Sequence, residues 1–220
     1  MGWYYFPKAS PMPKAVEGKH RKKFGLTWWG RKWIEAVECE GTEQRMARGR
    51  AYARADRVFG MDVRPGVVKA KVEGSLGDYV VKINVEKFSE KQWAGIIERI
   101  RESPALGVVL NNQLPEDIEE VCGVDLIPSD LEADCSCPDW ENPCKHIAAA
   151  YYVLADEIDK APAILFKLRG IEKNDLLAGL QGIRLQKPLV VKKVLRTPTK
   201  PGKGVAKGKS RKASKKKGKR

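Results

Sequence analysis

"DCSCPDWENPCKHIAAAYYVLADEID", residues 134–159, holds three of the chain's five cysteines and one of its two histidines within twelve positions. The spacing is C-x-C-x6-C-x-H: Cys135, Cys137, Cys144 and His146. Thiolate and imidazole suit a borderline-soft ion, and four such donors close a tetrahedron around zinc. Cys135 and Cys137 stand two apart, so an extended segment places both on one face. Pro138 and Pro143 bracket the turn-forming "DWEN", which folds back to bring in Cys144. His146 then falls in the first turn of a helix whose apolar stripe is Ile147, Tyr151, Leu154 and Ile158. Four protein donors leave no coordination position for a catalytic water, so the spacing predicts one structural zinc. The C-x-x-C pattern of thioredoxin-like redox sites is absent. Asp134, Asp139 and Glu141 surround the donors with acid, which suits a scaffold or a protein-facing surface better than a phosphate-binding one.

Outward from this centre the chain reads as α+β. "TWWGRKWIEAVE" predicts a helix capped by Thr27, with Trp29, Trp33 and Val37 recurring every four residues. Core packing is the plain reading of the tryptophans, and a stacking surface at Trp28 and Trp29 is the other. Alternating segments around 51–63, 67–73 and 78–86, broken by "RPG" and "GSLGD", predict a three-stranded antiparallel meander. Ser89 caps a further helix with Trp93, Ile96, Ile97 and Ile100 on one face. "LPEDIEEVCG" reads as a short helix ending at Gly123, and helical character resumes in "PAILFKLRG" and "KNDLLAGLQ". Four regions are expected: an irregular basic segment 1–24, an α+β domain 25–110, a zinc-stabilised knuckle-plus-helix domain 111–183, and a disordered lysine-rich tail 184–220.

Charge divides the chain more sharply than composition does. The formal net charge is +14, from 42 basic and 28 acidic side chains. Fifteen of the basic ones and none of the acidic ones lie in residues 185–220, leaving 27 against 28 in the rest. Such a tail condenses on a polyanion and releases counterions, giving salt-dependent and largely sequence-blind affinity. Lys212, Lys215, Lys216 and Lys217 are its densest run. A second basic candidate is "RMARGRAYARADR", with Arg45, Arg48, Arg50, Arg54 and Arg57 around Tyr52. Guanidinium groups bind phosphate bidentately and stack on bases, so these arginines are assigned to nucleic acid. The alternative is a solvated face paired with acids of the same molecule. No apolar run reaches the length of a membrane span, and "MGWYYFPKASPMPK" has no secretory-signal pattern. With an odd number of cysteines, this predicts a reducing, cytoplasmic setting, associated with nucleoid or ribosome.

C-x-C-x6-C-x-H running straight into an apolar helix resembles the SWIM zinc finger. The resemblance extends to small prokaryotic SWIM-finger proteins through "FGLTWWGRKWIEAVE", "RGRAYAR", "PEDIEE" and "LFKLRG", roughly residues 24–182. It implies the same four zinc ligands. SWIM fingers occur with helicase-like ATPases and Mutator-type transposases and are thought to bind DNA or proteins. The expectation is therefore a non-enzymatic nucleic-acid-binding protein, DNA favoured. The alternatives are a module docking on a helicase-type ATPase, and an RNA- or ribosome-associated protein. No P-loop, paired-carboxylate motif or nucleophile–base pair argues for catalysis.

Overall fold

The computed structural model describes residues 22–129 and 131–182. The expectations for residues 1–21 and 183–220, Lys212, Lys215, Lys216 and Lys217 among them, lie outside the described residues.

Helix α1, Trp28–Glu38, begins where Thr27 accepts the Gly30 N–H at 3.1 Å. Trp33 and Val37 are fully buried. Trp28 and Trp29 are partly buried, and their indole N–H groups donate to the carbonyls of Leu114 (3.0 Å) and Ile158 (3.2 Å). The tryptophans are thus core residues with satisfied polar ends, not a stacking platform.

The next element corrects the sequence reading. Residues expected to open a strand near 51 form helix α2, Glu43–Arg54, and the first strand, β1, is Val58–Arg64. Met46, Gly49, Tyr52 and Ala53 are the buried positions of α2, a spacing of three, three and one that only a helix places on one face. In "ARGRAYAR" small residues and arginines also alternate, so the polar pattern imitates a strand while the buried pattern is helical.

Strands β2, Val67–Glu73, and β3, Asp78–Asn84, continue the antiparallel meander. A fourth strand, β4, Glu132–Cys135, pairs antiparallel with β3 and completes the order β1-β2-β3-β4. At four residues it is too short for alternation to show in sequence, and its partner lies about fifty residues earlier.

Helix α3, Glu90–Arg101, starts with a reciprocal capping box between Ser89 and Gln92. Short helices α4, Ala105–Leu110, and α5, Ile118–Cys122, follow, the latter ended by Gly123 at φ 65°. Helix α6, Lys145–Lys160, is the longest described helix, and α7, Ala163–Leu168, and α8, Lys173–Leu180, complete the order. Beyond the expected stripe, Ala148, Ala149, Ala150, Tyr152 and Ala155 of α6 are also buried. A helix covered on nearly every side must be apolar all round, and its alanines admit close neighbours. Gly49 of α2 meets Ala148 so closely that a Cβ there would stand 2.3 Å from the alanine's methyl. The sheet turns Val68, Ala70, Val72, Val81 and Ile83 inward.

One hydrophobic cluster runs from Trp33 through the sheet and α6 to Leu180. The expected boundary at residue 110 is therefore not a boundary of packing: β4 belongs to the sheet of the first segment, and α6 to its core. Arg169 pins the parts together from inside, donating to the carbonyls of Leu126 (2.9 Å), Asp125 (2.8 Å) and Glu86 (3.2 Å). No described helix is long and apolar enough to cross a membrane.

Candidate metal centre

The sheet edge positions the first two cysteines. Cys135 pairs with Val81, so its side chain lies on the helix-covered face. Ser136 extends the pairing, its N–H donating to Val80 O (3.0 Å) and its hydroxyl accepting from Val80 N (2.9 Å). The chain then turns through 138–143, with a cis Asn142–Pro143 bond, and the Asn142 amide donates back to Ala133 O at 2.6 Å. Cys144 is the N-cap of α6, and its carbonyl accepts the Ala148 N–H at 2.9 Å. His146 follows inside the first turn, 3% exposed.

These elements bring all four predicted ligands together. One donor atom from each of Cys135, Cys137, Cys144 and His146 lies within 4.8 Å of the others. The Cys137 and Cys144 sulfurs are 3.6 Å apart, and His146 Nδ1 is 3.8 Å from Cys135 Sγ and 3.9 Å from Cys144 Sγ. Tetrahedral zinc, with Zn–S about 2.3 Å and Zn–N about 2.0 Å, sets the S···S and S···N separations at roughly 3.8 and 3.5 Å. The donor set and its spacing fit the ion. A thiol hydrogen bond from Cys135 draws the Cys144 thiol down to about 4, and the same bond, with burial, pushes Cys135 up. Burial also raises Cys137.

The other imidazole nitrogen, Nε2, is the one buried side-chain nitrogen or oxygen among the described residues without a hydrogen-bond partner. Its ring packs against Tyr52 and Tyr79, with centroids 5.7 and 4.7 Å away. The Tyr52 ring in turn faces Arg57 at 5.2 Å and Lys145 at 5.5 Å. Three thiolates would outweigh the double charge of zinc by one, a charge that cations around Tyr52 would help to offset. Nothing in the sequence pattern marks Tyr52 and Tyr79 as neighbours of His146. They meet it through α2 and β3, an adjacency set by the tertiary fold.

The arginines of α2 do not form one free face. Arg45 binds Asp139 at 2.7 Å and also pairs with Glu141, clasping the residues on both sides of Trp140. Burial works against the Asp139 carboxylate, but Arg45 outweighs it and holds the group below its ordinary value. Arg50 donates to Glu38 (2.8 Å) and Tyr152 Oη (3.1 Å), closing a triangle in which Tyr152 donates to Glu38 at 2.6 Å. Arg54 donates to the Lys22 carbonyl at 3.0 Å, and Arg57 lies 3.7 Å from Glu73. Arg48 alone of the five has no ion pair or hydrogen bond among the described residues. The self-paired alternative thus describes Arg45, Arg50 and Arg57. The acidic surface expected around the knuckle is likewise half neutralised, since Asp139 and Glu141 both face Arg45.

The SWIM zinc finger family model matches residues 109–155, a span running from the end of α4 into α6 and containing all four donors. The uncharacterized protein Rv2102 of Mycobacterium tuberculosis is 39% identical over 194 residues, covering 82% of this chain and 69% of that protein. The chain belongs to the SWIM zinc-finger family. No solved structure gives a significant match. The SWIM match begins well before the cysteines, and the structure gives a reason: α5 and the segment after it lead into β4, which seats the first ligand on the sheet edge.

Proposed function

We propose that this SWIM protein is a non-enzymatic nucleic-acid-binding protein, DNA-associated, in which zinc fixes the fold and positive charge supplies affinity. The observation that carries the reading is the concentration of fifteen basic and no acidic side chains in residues 185–220. A segment of that density meets phosphate by counterion release whatever the base sequence. Zinc here would belong to the scaffold, because Cys135, Cys137, Cys144 and His146 would take all four positions of a tetrahedral ion and leave none open. Lys212, Lys215, Lys216 and Lys217 supply charge in the tail, and Arg48 is the α2 arginine with no ion pair or hydrogen bond among the described residues to hold it from phosphate. The test is a salt series on duplex DNA, single strands and structured RNA, comparing the full chain with one ending at residue 183. Loss of the tail should weaken all three by a similar factor and flatten the logarithmic salt slope, which runs at about 0.9 per neutralised phosphate on duplex DNA. An unchanged slope refutes the tail's part, and a preference for structured RNA moves the protein to the RNA- or ribosome-associated reading.

A second reading, docking on a protein such as a helicase-type ATPase, has its own observation. Trp140 is 85% exposed at the tip of the knuckle, between two carboxylates held by one arginine. Tryptophan on a rigid, exposed turn is a typical anchor of protein interfaces. Retention of such an ATPase by the tail-less chain, lost on Trp140→Ala, supports docking.

A further inference from the structure

We infer that the open face of the sheet, centred on Phe59, Lys69, Lys71 and Lys82, is a binding surface for single-stranded nucleic acid. This rests on the nucleic-acid reading above and assigns it a surface in the folded body of the protein. Strands β2 and β3 pair without interruption from Val67↔Asn84 to Glu73↔Asp78. Helix α6 and its neighbours cover one side of the sheet, and the outward residues of the other side are exposed. In the two central outward rows, Lys69 stands opposite Lys82 and Lys71 opposite Val80. Phe59 of β1 stands opposite Lys71 on its other side.

Three features make this face unusual for a solvated surface. Like charges directly across a strand pair destabilise it, yet Lys69 and Lys82 are so placed. None of the three lysines has an ion pair among the described residues. The acids that flank them are partly engaged elsewhere: Asp62, opposite Lys69, is bound by Arg64 at 2.7 Å, and Glu73 lies 3.7 Å from Arg57. Asp134, opposite Lys82, remains at the edge. Asp78, opposite Glu73, and Glu132 also lie on the rim, so the three lysines form a positive centre inside a rim in which acids outnumber Arg64.

Second, large apolar groups share this face. Phe59 is 42% and Val80 48% exposed. Third, the backbone departs from regularity to put Phe59 there. The register passes from Phe59↔Lys71 to Asp62↔Lys69, three residues on β1 against two on β2. In a regular strand residues 59 and 62 would point to opposite faces, but the bulge turns both outward. Gly60, at φ 59° with open space where a Cβ would be, allows it. An aromatic ring on a sheet face, with ammonium groups one row away, can stack an unpaired base and hold its phosphates. A duplex offers no unstacked base to such a ring.

The test uses the full chain, zinc-loaded, with labelled oligo-dT, oligo-U and duplex DNA of about 15 nucleotides. Phe59→Ala should weaken both single strands by about tenfold or more and leave duplex binding unchanged. Phe59→Tyr, which keeps the ring, should bind as the parent does. Changing Lys69, Lys71 and Lys82 together to Gln should lower the single-strand salt slope by about 2. Zinc content and thermal melting, measured alongside, confirm that each variant is folded. Parent-like single-strand binding by both Phe59→Ala and the triple variant overturns the inference while leaving the tail reading intact. If the parent binds no nucleic acid at all, both fall. A preference for oligo-U over oligo-dT would identify the strand as RNA.

Discussion

The two ends of α6 are held by different physics. At its N-terminus, Cys144 and His146 belong to the metal cluster, and the knuckle beside them exposes Trp140 and buries little apolar surface of its own. At its C-terminus, Ile158 is buried, Trp29 donates to its carbonyl, and the Asp159 carboxylate accepts from the N–H groups of Leu26 (2.8 Å) and Thr27 (3.0 Å) and from the Thr27 hydroxyl. One end depends on an ion, the other on packing and caps. Hydrophobic burial is spread along the helix, so the metal decides the local order of one corner and not the existence of the core.

Removing the ion should break the comparison most visibly. Cys144→Ser should lose zinc, whereas Cys39→Ser, at an exposed thiol outside the cluster, should keep it. Structural zinc contributes apparent binding energies of about 10–16 kcal/mol in isolated finger peptides at neutral pH. Here the sheet and the α2 contact should retain part of the order that such peptides lose. Hydrogen exchange of the metal-free protein should show protection lost, relative to the zinc-loaded protein, at 137–147 and kept at 154–158. Uniform loss of protection would mean that the metal holds the whole fold.

The middle of α6 gives the next effect. Gly49→Ala would force a methyl to within 2.3 Å of the Ala148 side chain and 2.8 Å of its backbone. Backbone cannot step aside as a flexible side chain can, so overpacking of about 2–3 kcal/mol is expected, read as a lowered chemical-denaturation midpoint with zinc retained. At the far end, Asp159→Ala removes the acceptor that orients Thr27 and should cost about 1–2 kcal/mol by the same measurement.

The same division explains what was legible beforehand. The metal cluster could be read because its ligands are close in sequence, and covalent spacing alone brings them nearly into register. Helices α1, α3 and α6 could be read because each carries an apolar stripe, and α1 and α3 a capping residue as well. Helix α2 could not, because its buried positions include Gly49, whose smallness is the contact itself and carries no hydropathy. Strand β4 was hidden by shortness, and the links from Tyr52 and Tyr79 to His146 by their distance along the chain. A surface centred on Phe59 was invisible too, since only the bulge decides which way that ring points.

The smallest effect separates two arginines three residues apart on α2. Arg45 is bound to Asp139 and Glu141, while Arg48 has no ion pair among the described residues. Arg45→Gln should cost no more than about 1 kcal/mol, because the pairs are partly solvated and screened. Its pH dependence has a definite sign. Asp139 has a folded pKa below its unfolded value, against the pull of burial, because of Arg45. Its contribution is therefore full above the ordinary carboxylate value of about 3.9 and fades as pH falls through the lower folded value. The parent and Arg45→Gln should differ at neutral pH and converge in acid, and added salt should narrow the gap as well. Arg48→Ala should show neither effect, for it loses no pair among the described residues. If it touches phosphate, it should instead weaken nucleic-acid binding and reduce the duplex salt slope by about 1 at unchanged melting temperature. A stability loss at Arg48 larger than that at Arg45 would mean that the open arginine is the structural one, reversing the assignment of the two.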